Sequence, residues 1–335
     1  DDVESRGLGD VYKRQDHIKR LSEKLRGVRV AAVSAASKES AEKGAALCGG
    51  KAYTDNEQLI EDPKVEAVVV ASPGYTHAEV VLKAIAAGKR IFCEKPLATT
   101  AEDCKKIVEA EIASGRHLIQ VGFNRRYDKG FRQLKEELDK RKLGEPLMIH
   151  CTHRNPAVAD SYTTEMAVHD TLIHEIDCLR WLTGEEYASA QVIFTTRTKN
   201  ACAHLQDPQF MIFRTKSGMS IDVEVFVNCK FGYDINCEVV CEEGTVKLSS
   251  PSSPIIRTDT RISGKMADNW IHRFYESYDA ELQDWIDAAA DGVINGPTAW
   301  DGYAAAVTAD AFVKAQKSGR IEPITMEVMP DFYRR

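Results

Sequence analysis

The sequence lacks every pattern that would take it out of the ordinary globular class. No apolar run approaches the roughly 18 residues that a membrane-spanning helix needs, and no secretory leader pattern opens it, so no membrane partner is expected. There is no basic stripe either. The 44 Lys and Arg stand against 51 Asp and Glu, a net charge of −7, which argues against a nucleic-acid partner. Nine cysteines (48, 93, 104, 151, 178, 202, 229, 237 and 241) include no CxxC pair, and their number is odd. They read as reduced core thiols of a cytoplasmic protein, with no metal site expected. Internal repeats and low-complexity linkers are missing too. What remains is 335 residues, 43% hydrophobic and 28% charged, enough for two domains that each bury a core.

From residue 28 onward, strand-like and helix-like patterns alternate. The runs VRVAAVS (28–34), AVVVAS (67–72), RIFCEKP (90–96) and LIQVGF (118–123) are apolar and partly β-branched. Helical stretches over 38–48, 77–87 and 101–113 separate them. Continuous apolar strands joined by helices indicate parallel βαβ units with both faces covered. Residues 1–123 are therefore expected to form an α/β domain with a doubly wound, parallel, Rossmann-type sheet. Past residue 124 the grammar changes. Helices over 128–142 and 167–183 flank PLMIHCTH (146–153). Alternating strands follow at 190–196, 219–228, 235–242 and 245–250, and helices near 279–291 and 299–318 close the chain. Residues 124–335 are expected to form a second, α+β domain with a large, mostly antiparallel sheet.

The stretch HDTLIHEID (169–177) packs two histidines and three carboxylates into nine positions. At helical spacing Asp170, His174 and Asp177 share one stripe, and Leu172, Ile176 and Leu179 share the opposite one. A carboxylate one turn before an imidazole can orient the ring and raise its basicity, as a general base requires. A solvated helix face explains the same pattern. A metal site on His169, Asp170 and His174 does not, because two histidines five apart leave different faces of a helix.

The second candidate is EKP (94–96), at the end of a buried strand. Ligands bind outside the carboxyl ends of parallel strands, and Pro96 forces Lys95 out of helical geometry and makes a cis bond conceivable. A lysine there can steady negative charge developing on a substrate oxygen. Taken with the Asp-x-x-x-His stripe, and with ASPGYTHAEVVLKAI (71–85), FCEKPLATT (92–100), GFNRRYDKGF (122–131), HRNP (153–156) and TLIHEIDCLRWLTGE (171–185), the chain resembles the glucose-fructose oxidoreductase/inositol dehydrogenase family from about Gln15 to its end.

The resemblance implies an NAD(P)-dependent dehydrogenase that oxidises a cyclic polyol hydroxyl to a ketone, with myo-inositol first and another cyclitol or sugar second. It implies a catalytic set of Lys95, Asp170 and His174. It implies substrate contacts from Arg125, His153, Asn155, Thr171, Asp177 and Tyr233 as well as from Asp170 and His174. An uncharged polyol needs many hydrogen-bonding groups. The alternative for Arg125 and Asp177 is a plain ion pair. On the cofactor side the resemblance implies Ser72, Pro73, His77, Glu94 and Lys95, and it implies a homo-oligomer, by analogy a tetramer.

The sequence departs from the family pattern twice. The acidic residue expected to bind the adenosine ribose is replaced by Ala35, while Ser34, Ser37 and Lys38 nearby could accommodate a 2′-phosphate. NAD is expected first, with NADP open. Counting back from His17, the glycines of G-x-G-x-x-G belong at 9, 11 and 14, where this chain has Gly9, Val11 and Arg14. The preceding DDVESRGL is too polar for a central strand, so residues 1–14 are expected to be foreign or degraded. With that loop damaged, a non-catalytic polyol-binding member of the same fold is the other reading.

Overall fold

The computed structural model describes residues 13, 15–249 and 255–334. Gly9, Val11 and Arg14 lie outside the described residues. Two compact units divide the chain. One takes residues up to Phe123 with Tyr278–Ala306 and the segment from Glu327 onward; the other takes Asn124–Ser277 and Val307–Met326.

In the first unit, helix α1 over 15–24 leads to β1 (Ala32–Ser34), α2 (Lys38–Ala46), β2 (Lys51–Tyr53), α3 (Asn56–Glu61) and β3 (Ala67–Val70). Then come α4 (His77–Ala86), β4 (Arg90–Glu94), α5 (Ala101–Ser114) and β5 (Ile119–Gly122). β1 pairs with β2, and β3 pairs with β4 and β4 with β5, all parallel. The sequence pattern predicts this Rossmann-type arrangement. β2 and α3 escape the pattern because β2 is three residues long with an exposed Lys51, while α3 is marked mainly by Asp55, whose carboxylate accepts from Glu57 N at 2.8 Å. The run at 28–34 forms a ladder only over Ala32–Ser34, because only β2 pairs with it among the described residues. The core of the unit joins Leu21, Phe92, Leu282, Trp285 and Ile286, with Val28, Val30, Ala67 and Val69 against it. Burying each large side chain is worth roughly 1.5–3 kcal/mol.

The second unit opens with α6 (Lys129–Asp139) and β6 (Pro146–Arg154). A π-helical segment, Ala167–Leu172, runs directly into α7 (Ile173–Thr183). β7 (Tyr187–Phe194), β8 (Gln209–Thr215), β9 (Ser220–Phe226), β10 (Asp234–Cys241) and β11 (Thr245–Lys247) follow, with a small hairpin of β12 (Ile256–Thr258) and β13 (Arg261–Ser263). α8 (Trp270–Ala290) and α9 (Ala299–Ser318) each pass from one unit to the other, and β14 (Glu322–Pro323) comes last. The sheet order is β11-β10-β6-β9-β8-β7-β14, antiparallel except for β6 with β9. Alternation decides its faces. Ile149, Cys151, Met211, Phe213, Ile221, Val223, Cys237 and Val239 are buried, whereas His150 is exposed. On the buried face Phe213 packs against Tyr187 and Phe312, with ring centroids at 4.9 and 4.4 Å. All nine cysteines are free thiols, and Cys48 and Cys202 are the two not buried. No helix among the described residues is long and apolar enough to cross a membrane.

Candidate active site

In the second unit, the chemistry gathers around α7. The π-helical segment widens the turn just before His174, so a regular i, i+4, i+7 stripe does not carry through. Asp170 and His174 stay partly exposed, but Asp177 is buried and held by Arg126, whose Nε and Nη2 lie 2.9 and 2.5 Å from its two oxygens. Glu175 is buried as well and pairs with Arg125. The single Arg125–Asp177 pair considered from sequence is thus replaced by two, Arg125–Glu175 and Arg126–Asp177. Neighbouring arginines meet carboxylates two apart on the helix. Buried carboxylates need such partners, since an unpaired charge there costs several kcal/mol.

Around the Arg125–Glu175 pair sits a closed hydrogen-bonded set. His153 Nδ1 donates to Glu175 at 2.9 Å, which leaves Nε2 to accept from the Tyr233 hydroxyl at 3.4 Å. Arg125 Nη2 lies 3.2 Å from the same Nδ1, and its guanidinium lies 5.4 Å over the Phe274 ring. Burial pushes the Tyr233 phenol above its usual pKa, and Arg125 opposes the shift. The His153 and His174 ring centroids are 6.2 Å apart. Thr171 shares a 2.7 Å hydrogen bond with the Tyr162 hydroxyl, which also donates to Met166 O. Asn155 is partly exposed, and its backbone joins Phe226 and Cys229. His174, Asp170 and Asn155 are partly exposed, whereas His153, Tyr233, Arg125 and Glu175 are buried. A partly exposed imidazole can take a proton while the buried set stays rigid.

Sequence reasoning missed Glu175, Arg126, Tyr162 and Phe274. The one available signal was charge accounting. Glu175 and Asp177 sit among apolar residues of α7, and the quoted motif GFNRRYDKGF supplies two adjacent arginines, Arg125 and Arg126, to match them.

In the first unit, the cofactor candidates cluster at the carboxyl ends of β3 and β4, where parallel sheets take ligands. Ser72 Oγ and Thr76 Oγ1 are 2.6 Å apart, and Thr76 donates to Pro73 O at 2.8 Å, closing the turn before α4. His77 is buried with Nε2 and Nδ1 each 2.7 Å from a backbone oxygen, of Ser72 and Pro96 respectively. Burial lowers its pKa against the pull of both carbonyls. Its ring therefore ties the β3 turn to the loop after β4 and positions both. Lys95 is partly exposed, its backbone N–H donates to Glu94 at 3.2 Å, and the Lys95–Pro96 bond is cis.

Glu94 is buried between Lys13 Nζ at 2.5 Å and His17 Nε2 at 2.6 Å, so it anchors the start of α1 to the end of β4. Burial alone would raise its pKa, but Lys13 and His17 outweigh that and hold it at about 2. The unfolded carboxylate titrates higher, so this anchor stabilises the fold above about pH 4.5 and loses its effect as pH falls toward 2. The stabilisation is on the order of 3 kcal/mol. Glu94→Gln should flatten the loss of unfolding free energy between about pH 5 and pH 3, measured by denaturant titration. Parallel pH profiles for both proteins would remove the anchor from the account.

At the adenosine end, Ser37 caps α2 by accepting from Ser40 N at 3.2 Å, and the Ser34 hydroxyl is buried. Lys38 is exposed, with Glu42 3.8 Å away. The nicotinamide end thus has residues that fit the cofactor, while the pyrophosphate loop lies outside the described residues.

Two family models cover most of the chain: "Oxidoreductase family, NAD-binding Rossmann fold" over residues 7–123 and "Oxidoreductase family, C-terminal alpha/beta domain" over residues 135–326. Fold and matches together define an oxidoreductase built from a nucleotide-binding and a larger α/β part. The chain belongs to the Gfo/Idh/MocA oxidoreductase family. It is similar to the inositol 2-dehydrogenase of Pseudomonas savastanoi pv. phaseolicola, 54% identical over 95% of this chain and 96% of the relative. The inositol 2-dehydrogenase of Burkholderia cenocepacia is 52% identical over 96% of each chain. Among solved structures, the myo-inositol dehydrogenase of Lactobacillus casei in complex with NAD(H) and myo-inositol is 41% identical, with a TM-score of 0.93 over 96% of each chain.

Proposed function

We propose that this chain is an NAD-dependent dehydrogenase that oxidises myo-inositol to its 2-keto product. The observation that carries the reading is the 0.93 TM-score at 41% identity to an enzyme crystallised with NAD(H) and myo-inositol. The substrate is uncharged, so recognition falls to hydrogen-bonding groups, and we assign its contacts to the partly exposed Asp170, His174 and Asn155. His153, Thr171 and Tyr233 are buried. Arg125 and Asp177 are only 1% and 2% exposed, and we give them positioning roles through His153 and Arg126.

Bound NAD supplies the hydride acceptor. As the C–H bond gives up its hydride and C=O forms, the hydroxyl proton passes to the His174 imidazole. Asp170 holds that imidazole for the transfer. Lys95 steadies the oxygen while it carries negative charge. Ser72, Pro73 and the His77-clamped loop hold the nicotinamide end. Lys95→Met should lower kcat about a hundredfold with a small change in NAD affinity. Initial rates and a cofactor fluorescence titration read the two effects, and near-normal turnover would strip Lys95 of its role.

We also place the protein in the cytoplasm, on the strength of its nine free thiols. We take it as a homotetramer, a reading supported by the exposed Leu147, Met148, Ile193 and Phe194 on β6 and β7. Light scattering in solution tests the oligomer. The experiment for the function itself is a polyol panel assayed with NAD and with NADP.

A further inference from the structure

The π-helical segment that runs into α7 takes one residue more per turn than a regular helix. Ile173 N accordingly donates to Val168 O, five residues back. Such turns are rare because the regular α-helix competes with them, so one that persists calls for support from outside its own backbone. Met166 caps the segment, and Thr171 lies five residues further on, one π-turn away. The Tyr162 hydroxyl spans that turn. It donates to Met166 O at 2.7 Å and lies 2.7 Å from Thr171 Oγ1. A phenol has a single proton, and Met166 O takes it, so the Thr171 hydroxyl is the donor in the second bond. One oxygen atom thus staples both ends of the turn that carries Asp170 and leads the chain to His174.

The base of the staple is fixed. Tyr162 is buried, its N–H donates to Ala159 O at 2.9 Å, and its C=O accepts from the Cys202 thiol at 3.8 Å. Thr163 Oγ1 accepts from Met166 N at 3.3 Å. Thr164 O accepts from the side-chain amides of Gln209 and Gln316 at 3.2 and 2.8 Å. Burial first, and then the charge of Asp170, push the Tyr162 phenol well above its usual pKa. The phenol therefore keeps the proton that it gives to Met166 O, and it lies within electrostatic reach of Asp170. Asp170 sits inside the π-turn and His174 just beyond it. Collapse to an α-turn would rotate Asp170 about the helix axis relative to His174.

We propose that Tyr162 is a positioning residue for the reaction: its hydroxyl holds the π-turn open and so fixes the placement of Asp170 relative to His174. The role rests on the reading of Asp170 and His174 as the pair that handles the substrate proton.

Tyr162→Phe removes the one oxygen and keeps the ring, so it separates the staple from core packing. With myo-inositol and NAD, kcat should fall at least about tenfold while KM for NAD stays within about twofold, because small misplacements of a reacting group are costly. Hydrogen exchange of the full chain should quicken at residues 167–174 and stay at the parent's rate in β8 and β10. Thr171→Val cuts one arm of the staple and should quicken the same amides to a smaller extent. Unchanged exchange at 167–174 in both variants overturns the proposal, and so does quickening spread evenly through the sheet. Local quickening with parent-like kcat overturns it too, since the turn would then be held without mattering to the chemistry. A parent protein that turns over no polyol counts against the functional reading instead, and the exchange at 167–174 still decides whether the hydroxyl holds the turn.

Discussion

Replacing His174 with alanine should lower kcat by a hundredfold to ten-thousandfold while NAD affinity changes little. The expectation rests on the division of labour around α7. In the proposed mechanism the partly exposed imidazole is the base, whereas nearby charged groups pair with one another: Arg125 with Glu175, and Arg126 with Asp177. His174 takes the proton and Asp170 only holds the ring, so removing the imidazole should remove proton acceptance and leave the scaffold. General base catalysis contributes about 10²–10⁴-fold, which sets the range. A proton acceptor must be neutral, so the rise of rate with pH through the imidazole range should vanish with it. Because the loss falls on the transition state, kcat and kcat/KM should drop together. Turnover within about threefold of the parent would mean that another group takes the proton.

The second large effect concerns the amino-terminal segment. Replacing residues 1–14 with an apolar strand running into G-x-G-x-x-G should tighten NAD binding by tenfold to a thousandfold. A pyrophosphate seated at a helix N-terminus needs the backbone to approach closely, and Val11 and Arg14 add side chains where the fingerprint has glycine. A left-handed conformation at a non-glycine position costs about 1–3 kcal/mol, and each 1.4 kcal/mol is a factor of ten in affinity. The positive charge of Arg14 recovers some attraction for phosphate but does not remove its bulk. The Lys13–Glu94–His17 anchor that sets the start of α1 lies at the graft point, and keeping Lys13 in the graft separates loop chemistry from anchor loss. The same graft replaces a charged opening segment with an apolar one, so the melting temperature should rise. Equal NAD affinity and equal melting temperature in both proteins would show that the present segment serves as written.

Much of this was legible in the sequence, for definite reasons. RIFCE at 90–94 reads as a buried parallel strand because both of its faces are covered, and the apolar AVVV at 67–70 reads as its neighbour although burial alternates along it. SIDVEVF at 220–226 and DINCEVVC at 234–241 read as one-sided strands because every second residue is buried. Pro96 made a cis bond conceivable, and the Lys95–Pro96 bond is cis. The interior traffic of charge was not legible. Sequence showed that Glu94 and His77 stand near the ends of β4 and β3, but not that Glu94 is gripped by Lys13 and His17, or that both ring nitrogens of His77 face backbone carbonyls. Helical spacing placed Asp177 on an open stripe. The π-helical segment before it and the covering Arg126 made it a buried ion-pair partner, and neither leaves a periodic trace. The candidate substrate residues were legible as residue types, but which of them are buried and which partly exposed needed coordinates.

The central claim is NAD-dependent oxidation of myo-inositol, and the most direct test is the initial rate of NADH formation across a panel of cyclitols, linear polyols and pyranoses. The panel is run with NAD and NADP in parallel, on the chain as it stands and with the grafted loop. The account predicts that myo-inositol gives the highest kcat/KM, with NAD preferred over NADP and the graft acting chiefly through NAD affinity. Cofactor reduction by a linear polyol or a pyranose, with none from myo-inositol in either protein, would contradict it.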